Sequence, residues 1–456
     1  MNIFNKFNII IIIAAVLILS GCSAVSPAPA ERLIRAPKLT GENALLQKAF
    51  EGAVGKDIVL KTPLSGSYRS AYVLYDFDGG ETPETFAFVF YAERDNEFVA
   101  RMNVLKRFEN GWESIFDDAG YGSEVYEISF ADMNGGGYKE VIVSWKLMDA
   151  KSNKYVYVYC YDKNGEAKGD AFKKILAEQF TVMLPIDLSG GGKTEIFTAV
   201  LDTSQTRPTA VAKLLGIDKN NKFTLLGSVN LDASASSYMD IKTDEKDGVK
   251  RLYLDGFKGE NQMLTEIIYW DKEKGRLVSP LYNPKSASVT ETLRPRGAEC
   301  VDINGDKIIE VPSFISMLNS YCVYSAAESK APLIMNVWSQ YKDGELVPIV
   351  RYIEDGMKKY RFSIPYEWLD KIAVETDANT GVTTFSQLDT TDVNNSQLFE
   401  IYYYTAEQWD ALADKTKLAE LESSDKETVV FRITPLGAKF GVTANKVKEH
   451  FMRIEN

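Results

Sequence analysis

Histidine and cysteine are scarce in this sequence: one histidine, His450, and four cysteines occur among 456 residues. A single histidine excludes a zinc site built from histidine ligands and a Ser-His-Asp triad in the main body of the chain. Within residues 444–451, His450 is predicted to be a solvent-facing helix residue. Past Cys22, the remaining cysteines Cys160, Cys300 and Cys322 show no CxxC spacing. A Cys300–Cys322 bridge is conceivable in an oxidising setting, but buried free thiols are favoured.

Positive charge is also in deficit, with 52 Lys and Arg against 64 Asp and Glu and a formal net charge of −12. A nucleic-acid partner needs clustered basic residues, so the charge balance argues against one. The acidic balance more simply serves solubility. A hydrophobic content of 45% and an aromatic content of 12% over 456 residues predict a globular protein with two or three cores.

The N-terminal apolar run is too short to span a bilayer as a helix, which takes about 20 residues. This run, Ile9–Leu19, follows the single basic residue Lys6, an arrangement typical of a secretory signal. It leads into Leu19-Ser20-Gly21-Cys22, which resembles the lipobox of bacterial lipoproteins. The resemblance implies that residues 1–21 are a lipoprotein signal peptide and that Cys22 is lipidated. An ordinary signal peptide followed by an unrelated cysteine is the alternative.

The segment after Cys22 is predicted to be a tether. Residues 23–30 are small and contain two prolines, so residues 22–40 are expected to be flexible. Two or three acyl chains on Cys22 would anchor the protein firmly, because each buried methylene contributes about 0.8 kcal/mol. We therefore expect a protein held in the cell membrane by its lipid, with its folded part on the extracytoplasmic face.

A turn motif recurs along the chain: an Asp and an apolar residue end one strand, a Gly-rich turn follows, and a Glu begins the next strand. The copies are Asp76-Phe77-Asp78-Gly79-Gly80 with Glu84, Asp132-Met133-Asn134-Gly135-Gly136-Gly137 with Glu140, Asp187-Leu188-Ser189-Gly190-Gly191-Gly192 with Glu195, and Asp302-Ile303-Asn304-Gly305-Asp306 with Glu310. The copies begin at 76, 132, 187 and 302, and the last gap is about twice the others. A decayed fifth copy is therefore predicted at Asp240 to Asp244, with its turn glycine displaced to Gly248.

Between these turns the sequence predicts short strands that are apolar on both faces, such as Tyr155 to Tyr161 and Ile196 to Val200. A small sheet that buries both faces must lie between similar sheets, and radial stacking into a β-propeller achieves this. The turn resembles that of FG-GAP/VCBS propeller repeats. We therefore expect a mainly β protein with a β-propeller-like repeat domain of about five blades over residues 67–356. A non-propeller β array is the alternative.

The turn could serve as a calcium site or as a structural device. In the last copy Asp302, Asn304, Asp306 and Glu310 present oxygens at the alternating positions that suit calcium. Alternatively, the Asp accepts backbone N–H groups, the glycines adopt positive φ and the Glu closes the loop. The structural role is favoured, most strongly for the earlier copies: Asp76, Asp78, Glu84, Asp132, Asn134, Glu140, Asp187 and Glu195. Calcium at the copy that begins at Asp302 is the one cofactor that stays open.

The segments that flank the repeats differ from them. Residues 41–66 form a helical lead-in, with a helix predicted over Glu42–Val54, and this opening resembles uncharacterised clostridial-type lipoproteins. Residues 357–456 predict a smaller α+β domain, whose strand from Tyr360 stops at Pro365. That opening resembles the PsbP-like fold. Thr405 to Gln408 has capping-box spacing. Trp368 and Trp409 are interpreted as core residues, with a ligand platform as the alternative.

No recognisable catalytic group is assembled along the chain. The sequence therefore favours a non-catalytic surface module that presents a rigid face to envelope glycan or protein. A glycan-active hydrolase that uses two carboxylates on a propeller scaffold is one alternative. An envelope-assembly scaffold that only docks partners is the other.

Overall fold

The computed structural model describes residues 41–77, 85–148, 154–162, 172–204, 206–324, 330–388 and 396–454. The predicted signal peptide, Cys22 and the tether lie outside these residues. Strands make up 56% of the structure and helices 9%, so the predicted mainly β class is confirmed.

Helix α1 (Glu42–Val54) covers the predicted range. Glu42 in its first turn favours the helix because a negative charge offsets the positive end of the helix dipole. Leu46 and Phe50 lie one turn apart and are buried on the same face. Gly55 ends the helix at φ 89°, a backbone conformation that most other residues avoid.

Four antiparallel sheets follow α1 in chain order, and strands that are adjacent in sequence mostly pair with each other. Sheet 1 contains β1 (Ile58–Leu60), β2 (Tyr72–Asp76), β3 (Thr85–Glu93), β4 (Asn96–Phe108) and β5 (Gly111–Ala119). Sheet 2 contains β6 (Glu124–Ala131), β7 (Glu140–Lys146), β8 (Lys154–Tyr161) and β9 (Phe172–Phe180). Sheet 3 contains β10 (Val182–Ile186), β11 (Glu195–Asp202), β12 (Thr209–Ile217) and β13 (Phe223–Asn230). Sheet 4 contains β14 (Ser237–Tyr238), β15 (Lys242–Lys246), β16 (Val249–Lys258), β17 (Gln262–Asp271), β18 (Arg276–Val278) and β19 (Arg294–Pro295).

The fifth sheet has ten strands. In chain order they are β20 (Glu310–Val323), β21 (Lys330–Lys342), β22 (Glu345–Glu354), β23 (Tyr360–Ser363), β24 (Ile372–Asp377), β25 (Val382–Gln387), β26 (Gln397–Thr405), β27 (Ala419–Ser423), β28 (Glu427–Ile433) and β29 (Phe451–Arg453). Their order in the sheet is β27-β28-β26-β25-β24-β20-β21-β22-β23-β29, and β20 and β24 are parallel. Arg453 of β29 forms an ion pair with Glu427 of β28, so the two ends of the sheet approach each other and the barrel is nearly closed.

Sheet 5 is continuous across the predicted domain boundary at residues 356 and 357. β22 pairs with β23 on the other side of the boundary, with Tyr352 opposite Ser363. β20 pairs with β24 through Tyr321 and Glu375. The strands that continue the repeat pattern therefore share one hydrogen-bonded sheet with the strands of the C-terminal segment.

Successive sheets pack face to face, and neighbouring residues of a strand serve opposite interfaces. Ile196 of β11 packs toward sheet 2, whereas Phe197 packs toward sheet 4. Ile267 of β17 packs toward sheet 5, and Ile268 packs toward sheet 3. This alternation follows from the two-residue period of a strand and explains why these strands are apolar at almost every position.

The outer faces of the array are covered by other elements. Phe50 of α1 contacts Tyr72 and Tyr91 edge-on at ring-centroid distances of 5.9 and 5.4 Å, on the face of sheet 1 that points away from sheet 2. At the other end, Met335 and Val337 of β21 belong to the core inside sheet 5. Within the described ranges, none of the hydrophobic clusters joins sheet 5 to sheet 1.

Three short helices belong to the C-terminal segment: α2 (Ala406–Ala411), α3 (Pro435–Phe440) and α4 (Ala444–His450). Thr405 and Gln408 form the predicted capping box at the start of α2. Trp368 is 2% exposed and lies in the core, as predicted, whereas Trp409 is only half-buried.

The prediction of a solvent-facing His450 is wrong. The ring is half-buried, with its centroid 6.1 Å from Phe362 and 6.5 Å from Trp368, and Nδ1 lies 3.1 Å from Oγ of Ser363. Burial lowers the pKa of His450 below its usual value. Helical spacing alone does not determine which side of α4 packs against the rest of the protein. The tertiary contacts of α4 place its last residue, His450, against the core.

The cysteine prediction is settled in favour of free thiols. Cys160, Cys300 and Cys322 are buried and unbonded to one another. Burial raises the pKa of Cys160 and of Cys300, which keeps both thiols protonated and chemically inert. Among the helices that the structure describes, none has the length and apolar character needed to cross a membrane.

Candidate functional site

The repeated turns occupy equivalent places in their sheets. In sheets 2 and 3 the turn connects the first strand of the sheet to the second, and the Glu of the motif begins the second strand, as Glu140 begins β7 and Glu195 begins β11. In the last copy, Val301 bridges to Glu310 at the start of β20. Asp76 ends β2 in the first copy, whereas Asp78 and Glu84 lie outside the described residues.

In the copy at 132, the side chains hold the turn by accepting its own N–H groups. Asp132 accepts from Gly135 N at 2.7 Å and from Gly137 N at 3.3 Å. Glu140 accepts from Met133 N and from the Asn134 amide, each at 2.7 Å. Burial raises the pKa of Glu140, because little water is left to solvate its charge.

The copy at 187 repeats these contacts. Asp187 accepts from Gly192 N at 3.1 Å, and Glu195 accepts from Leu188 N at 3.1 Å and Ser189 N at 2.9 Å. Gly192 has φ 76°, which glycine tolerates at no steric cost. The acceptor Glu thus contacts the same turn positions, seven and six residues earlier, as Glu140 does.

The copy at 302 has the same internal bonds despite its richer set of oxygens. Asp302 accepts from Gly305 N at 2.7 Å and from Lys307 N at 2.8 Å. Asp306 accepts from Ile308 N at 2.9 Å, and Glu310 accepts from Ile303 N at 2.9 Å and from Gln340 Nε2 at 2.7 Å. Lys307 occupies the positive-φ position at 69° that Gly137 and Gly192 occupy in the other copies.

These contacts bear on the calcium hypothesis. The carboxylates of Asp302 and Glu310 already accept backbone N–H groups, and Asn304 Oδ1 accepts from Asp306 N at 2.9 Å. No group of three or more His, Cys, Asp or Glu side chains in the described ranges is placed to hold a metal ion. The described arrangement can stabilise a turn, and calcium at this copy stays a prediction.

The predicted decayed copy near residue 244 has a different structure. Asp244 lies inside β15, is 6% exposed, and accepts from Arg251 Nε at 2.6 Å and Tyr253 OH at 2.9 Å. The connection to β16 is the two-residue turn Asp247-Gly248, with φ values of 53° and 72°. Such a turn suits the twist of a hairpin, so sheet 4 needs no long Asp loop. The displaced glycine was placed correctly, but Asp244 is a strand residue.

Neighbouring turns are linked to each other in chain order. Lys193 donates to Asn134 O at 2.8 Å, and Lys250 donates to Asp187 O at 2.9 Å. Ile309 N donates to Asp244 Oδ2 at 3.0 Å. Sheets 2 to 5 therefore present their first turns on one side of the molecule.

A cleft of about 650 Å³ lies at the opposite ends of these strands, across sheets 2, 3 and 4. We name it the tyrosine cleft; its lining includes Tyr121, Lys146, Lys154, Tyr155, Ser204 and Tyr238. In sheet 2, Tyr121 precedes the first strand, Lys146 ends the second and Lys154 begins the third, positions at the end of the sheet away from its Asp turn. A mixed polar and aromatic concavity of this size is typical of ligand sites.

Two tyrosines form one wall of the tyrosine cleft. The rings of Tyr121 and Tyr155 lie 3.8 Å apart between centroids at an interplanar angle of 34°. Tyr121 is 38% exposed on the loop before β6. Gly122 positions this loop, because a Cβ there would lie 2.6 Å from Lys146 O and its φ is 95°. The close approach of the backbone thus brings Tyr121 onto Tyr155.

Hydroxyl, amide and carboxylate groups line the other walls. Gln179 lies near the end of β9, and Thr181 connects β9 to β10. Asp202 ends β11, where it accepts from Ser204 N at 2.9 Å. Tyr238 lines the wall from sheet 4. The cleft therefore combines an aromatic surface with several hydrogen-bonding groups, an arrangement that can hold a polar ligand with apolar faces.

A buried carboxylate lies in sheet 4 near Tyr238. Glu266 is 0% exposed and accepts from Asp232 N at 2.6 Å and from Ser279 Oγ at 3.3 Å. Burial raises the pKa of Glu266 to about 7, and the nearby carboxylate of Asp232 adds to the effect. Glu266 does not itself line the tyrosine cleft.

This raised pKa makes the stability of the protein depend on pH. The folded state binds the Glu266 proton more tightly than the unfolded chain, whose pKa is 4.5. Its contribution is therefore complete below pH 4.5 and is lost as the pH rises through about 7, at up to about 1.4 kcal/mol per pH unit. We expect Glu266→Gln to be more stable relative to the parent at pH 8 than at pH 5 in urea unfolding. The exposed Glu273→Gln is the control, and equal differences at both pH values would contradict this assignment.

The tyrosine cleft was not predicted from the sequence. Its residues are spread from 121 to 240, and each one alone looks like an ordinary strand-end residue. A usable signal was present: Tyr121, Lys154 and Tyr155 all lie at strand ends opposite the Gly-rich turns. If the Gly-rich turns all lie on one side of the molecule, the opposite strand ends must all lie on the other side. No known protein-family model matches the chain, and no curated protein is significantly similar to it.

Proposed function

We propose that this protein is a non-catalytic binding module that holds an envelope glycan in the tyrosine cleft. The observation that carries the proposal is the pair of tyrosine rings, Tyr121 on Tyr155, beside the hydroxyl and amide groups of the cleft. Sugar rings present apolar C–H faces and a rim of hydroxyls. The aromatic wall suits the faces, and Gln179, Thr181 and Ser204 suit the rim.

The proposal includes a cellular location for the protein. The short apolar segment Ile9–Leu19 followed by Leu19-Ser20-Gly21-Cys22 supports export and lipidation at Cys22. A tether over residues 22–40 would lift the folded part from the lipid surface. An anchored binding module on the extracytoplasmic face of the cell membrane would meet envelope glycan directly.

We further propose that the successive sheets are blades of a β-propeller-type arrangement related to FG-GAP/VCBS repeats. The equivalent Asp turns and the links between neighbouring turns support this, as do the apolar interfaces between consecutive sheets. The covering of sheet 1 by α1 favours an open arc over a closed ring of five blades. The relationship of residues 357–456 to the PsbP-like fold stays a proposal, supported by the strand that stops at Pro365.

The hydrolase alternative has less support in the described residues. A glycosidase needs two carboxylates on opposite sides of the scissile bond, one of them with a raised pKa. Glu266 has such a pKa, but it is 0% exposed and is not part of the cleft lining. A scaffold that only docks protein partners would not need an aromatic cleft, so the cleft favours the glycan.

Replacement of Tyr121 by alanine tests the proposal. We expect glycan affinity to fall about two- to tenfold, since an aromatic contact contributes about 0.5–1.5 kcal/mol and 1.4 kcal/mol is a factor of ten. The measurement is binding of the full chain in mild detergent to a glycan array, followed by calorimetric titration of the best ligand. A parallel titration with calcium or a chelator tests whether glycan binding depends on calcium at the Asp turns.

The matched control is Tyr366→Ala. Tyr366 is 78% exposed and lies in the C-terminal segment, so its removal should leave glycan affinity unchanged. Melting temperatures of both variants show whether the fold is intact. Absence of binding to any glycan, or equal losses in the two variants, would refute glycan binding by the cleft.

A further inference from the structure

The tyrosine cleft contains two lysines at one end. Lys146 is the last residue of β7 and Lys154 is the first residue of β8, and these two strands are neighbours in sheet 2. Both residues line the cleft, and Lys154 directly precedes Tyr155 in β8. Two cations on adjacent strand ends repel each other, so their placement calls for a compensating negative charge.

That compensating charge is not supplied by an ion pair within the described part of the chain. No carboxylate oxygen there lies within 4.0 Å of the ammonium of Lys146 or Lys154. Glu124, the cross-strand neighbour of Lys146, instead lies 3.8 Å from Lys61. Other lysines of the same sheets do have partners, for example Lys174 with Asp118 at 2.9 Å and Lys213 with Glu178.

The ammonium of Lys154 is held by aromatic faces. It lies 4.5 Å from the centroid of Tyr126 and 5.3 Å from that of Phe180. Burial lowers the pKa of Lys154, the charge of Lys146 lowers it further, and Asp240 opposes the change. An anion bound between the two lysines would favour the charged form of Lys154 and so raise its pKa. The fixed aromatic cage positions Lys154 for that contact without the cost of ordering a free side chain.

Negative charge in the cleft is concentrated on the side of sheets 3 and 4. Asp202 ends β11, and Asp240 lies between β14 and β15. The sheet 2 side carries Lys146 and Lys154. The charges are thus segregated along the cleft, which orients a ligand with one anionic end.

We propose that the tyrosine cleft selects a sugar unit that carries an anionic group, either a carboxylate or a phosphate, and binds that group between Lys146 and Lys154. The rest of the sugar unit lies in the tyrosine cleft. This assignment rests on the proposed glycan-binding function and adds the chemical class of its ligand. Ammonium groups recognise both kinds of anion as point charges, so the shared chemistry covers uronic-acid glycans and phosphate-bearing glycans.

The test compares three polymers with the full chain in mild detergent: a polyuronate, a poly(glycerol phosphate) and an uncharged glucan. We expect tighter binding of at least one anionic polymer, weakened as sodium chloride rises from about 50 to 200 mM. Lys154→Met and Lys146→Met should each weaken that binding about ten- to a hundredfold, because a charge-assisted hydrogen bond contributes about 1.5–3 kcal/mol. Inorganic phosphate as competitor separates recognition of the phosphate alone from recognition of the sugar phosphate.

Lys219→Met is the matched control. Lys219 is exposed in the hairpin between β12 and β13, at the end of sheet 3 away from the cleft, so the variant should bind like the parent. The assignment would be overturned if Lys219→Met weakened binding of the anionic polymers as much as Lys154→Met does. Equal, salt-independent binding of charged and uncharged polymers would overturn it too, but would leave glycan binding standing. Binding to none of the three polymers, together with an unreactive glycan array, would overturn both proposals.

Discussion

Replacing Arg294 by methionine is expected to lower the free energy of unfolding by about 3–5 kcal/mol, because it leaves a buried carboxylate without its cation. The side chains of Arg294 and Asp255 are 0% and 1% exposed, and their ion pair measures 2.8 Å. Arg294 also donates to Thr265 Oγ1 at 2.9 Å and to Ala298 O at 2.7 Å. The only other cation near Asp255 is Lys242, at 3.9 Å, among the described ion pairs. That contact is too long to replace the direct hydrogen bond from the guanidinium to Asp255.

The measurement is urea or guanidinium unfolding at neutral pH, with a double-mutant cycle. The Asp255→Asn/Arg294→Met double variant should lose less than the sum of the two single losses, since no charge is then left buried. Arg276→Met serves as the matched control, because Arg276 is exposed in β18. A loss below about 1 kcal/mol for Arg294→Met would show that the pair is solvated and not buried as described.

Replacing Phe50 by alanine is expected to have a similarly large effect, about 3–5 kcal/mol, as for other buried aromatic side chains. Phe50 is 1% exposed and is the main contact of α1 with sheet 1. Its loss leaves a cavity over Ala87 and Val89, both 0% exposed, that helix movement fills only in part. The apolar face of sheet 1 then becomes accessible to water.

Chemical unfolding of Phe50→Ala, together with binding of a hydrophobic dye, measures both consequences. Leu45→Ala on the same helix is the matched control: Leu45 is 55% exposed, so its truncation should change stability by less than about 0.5 kcal/mol. If another sheet covered sheet 1 and α1 lay outside that sheet, Phe50→Ala and Leu45→Ala would lower the free energy of unfolding by similar small amounts.

Local patterns predicted the local structure well. The helix over Glu42–Val54 and the strand within Tyr155 to Tyr161 are present. The capping box at Thr405 is present too. These features depend on residues close in sequence. They are apolar residues spaced one helical turn apart, alternating residues along a strand, and a side chain that accepts a hydrogen bond from the first turn of its own helix. The mainly β class follows from the same short-range signals.

Features that depend on distant contacts were harder to predict. Asp244 looked like a turn residue because its spacing matched the repeat, but its partner Arg251 and the hairpin at Asp247-Gly248 place it in a strand. The orientation of His450 depends on Phe362, which is 88 residues away in sequence. The tyrosine cleft joins three sheets and carries no local motif. Such sites become visible only when the packing of whole sheets is known.

The continuity of sheet 5 has a consequence for how the chain reaches its final form. Sheets 1 to 4 are built from strands that are neighbours in sequence, so each can assemble as soon as its own residues are available. The tenth strand of sheet 5 pairs Phe451–Arg453 with Tyr360–Phe362, which lie about ninety residues earlier in the chain. Until residue 453 has emerged, that edge of the barrel stays open and β23 exposes unpaired backbone groups. The order of synthesis thus leaves this sheet to close last.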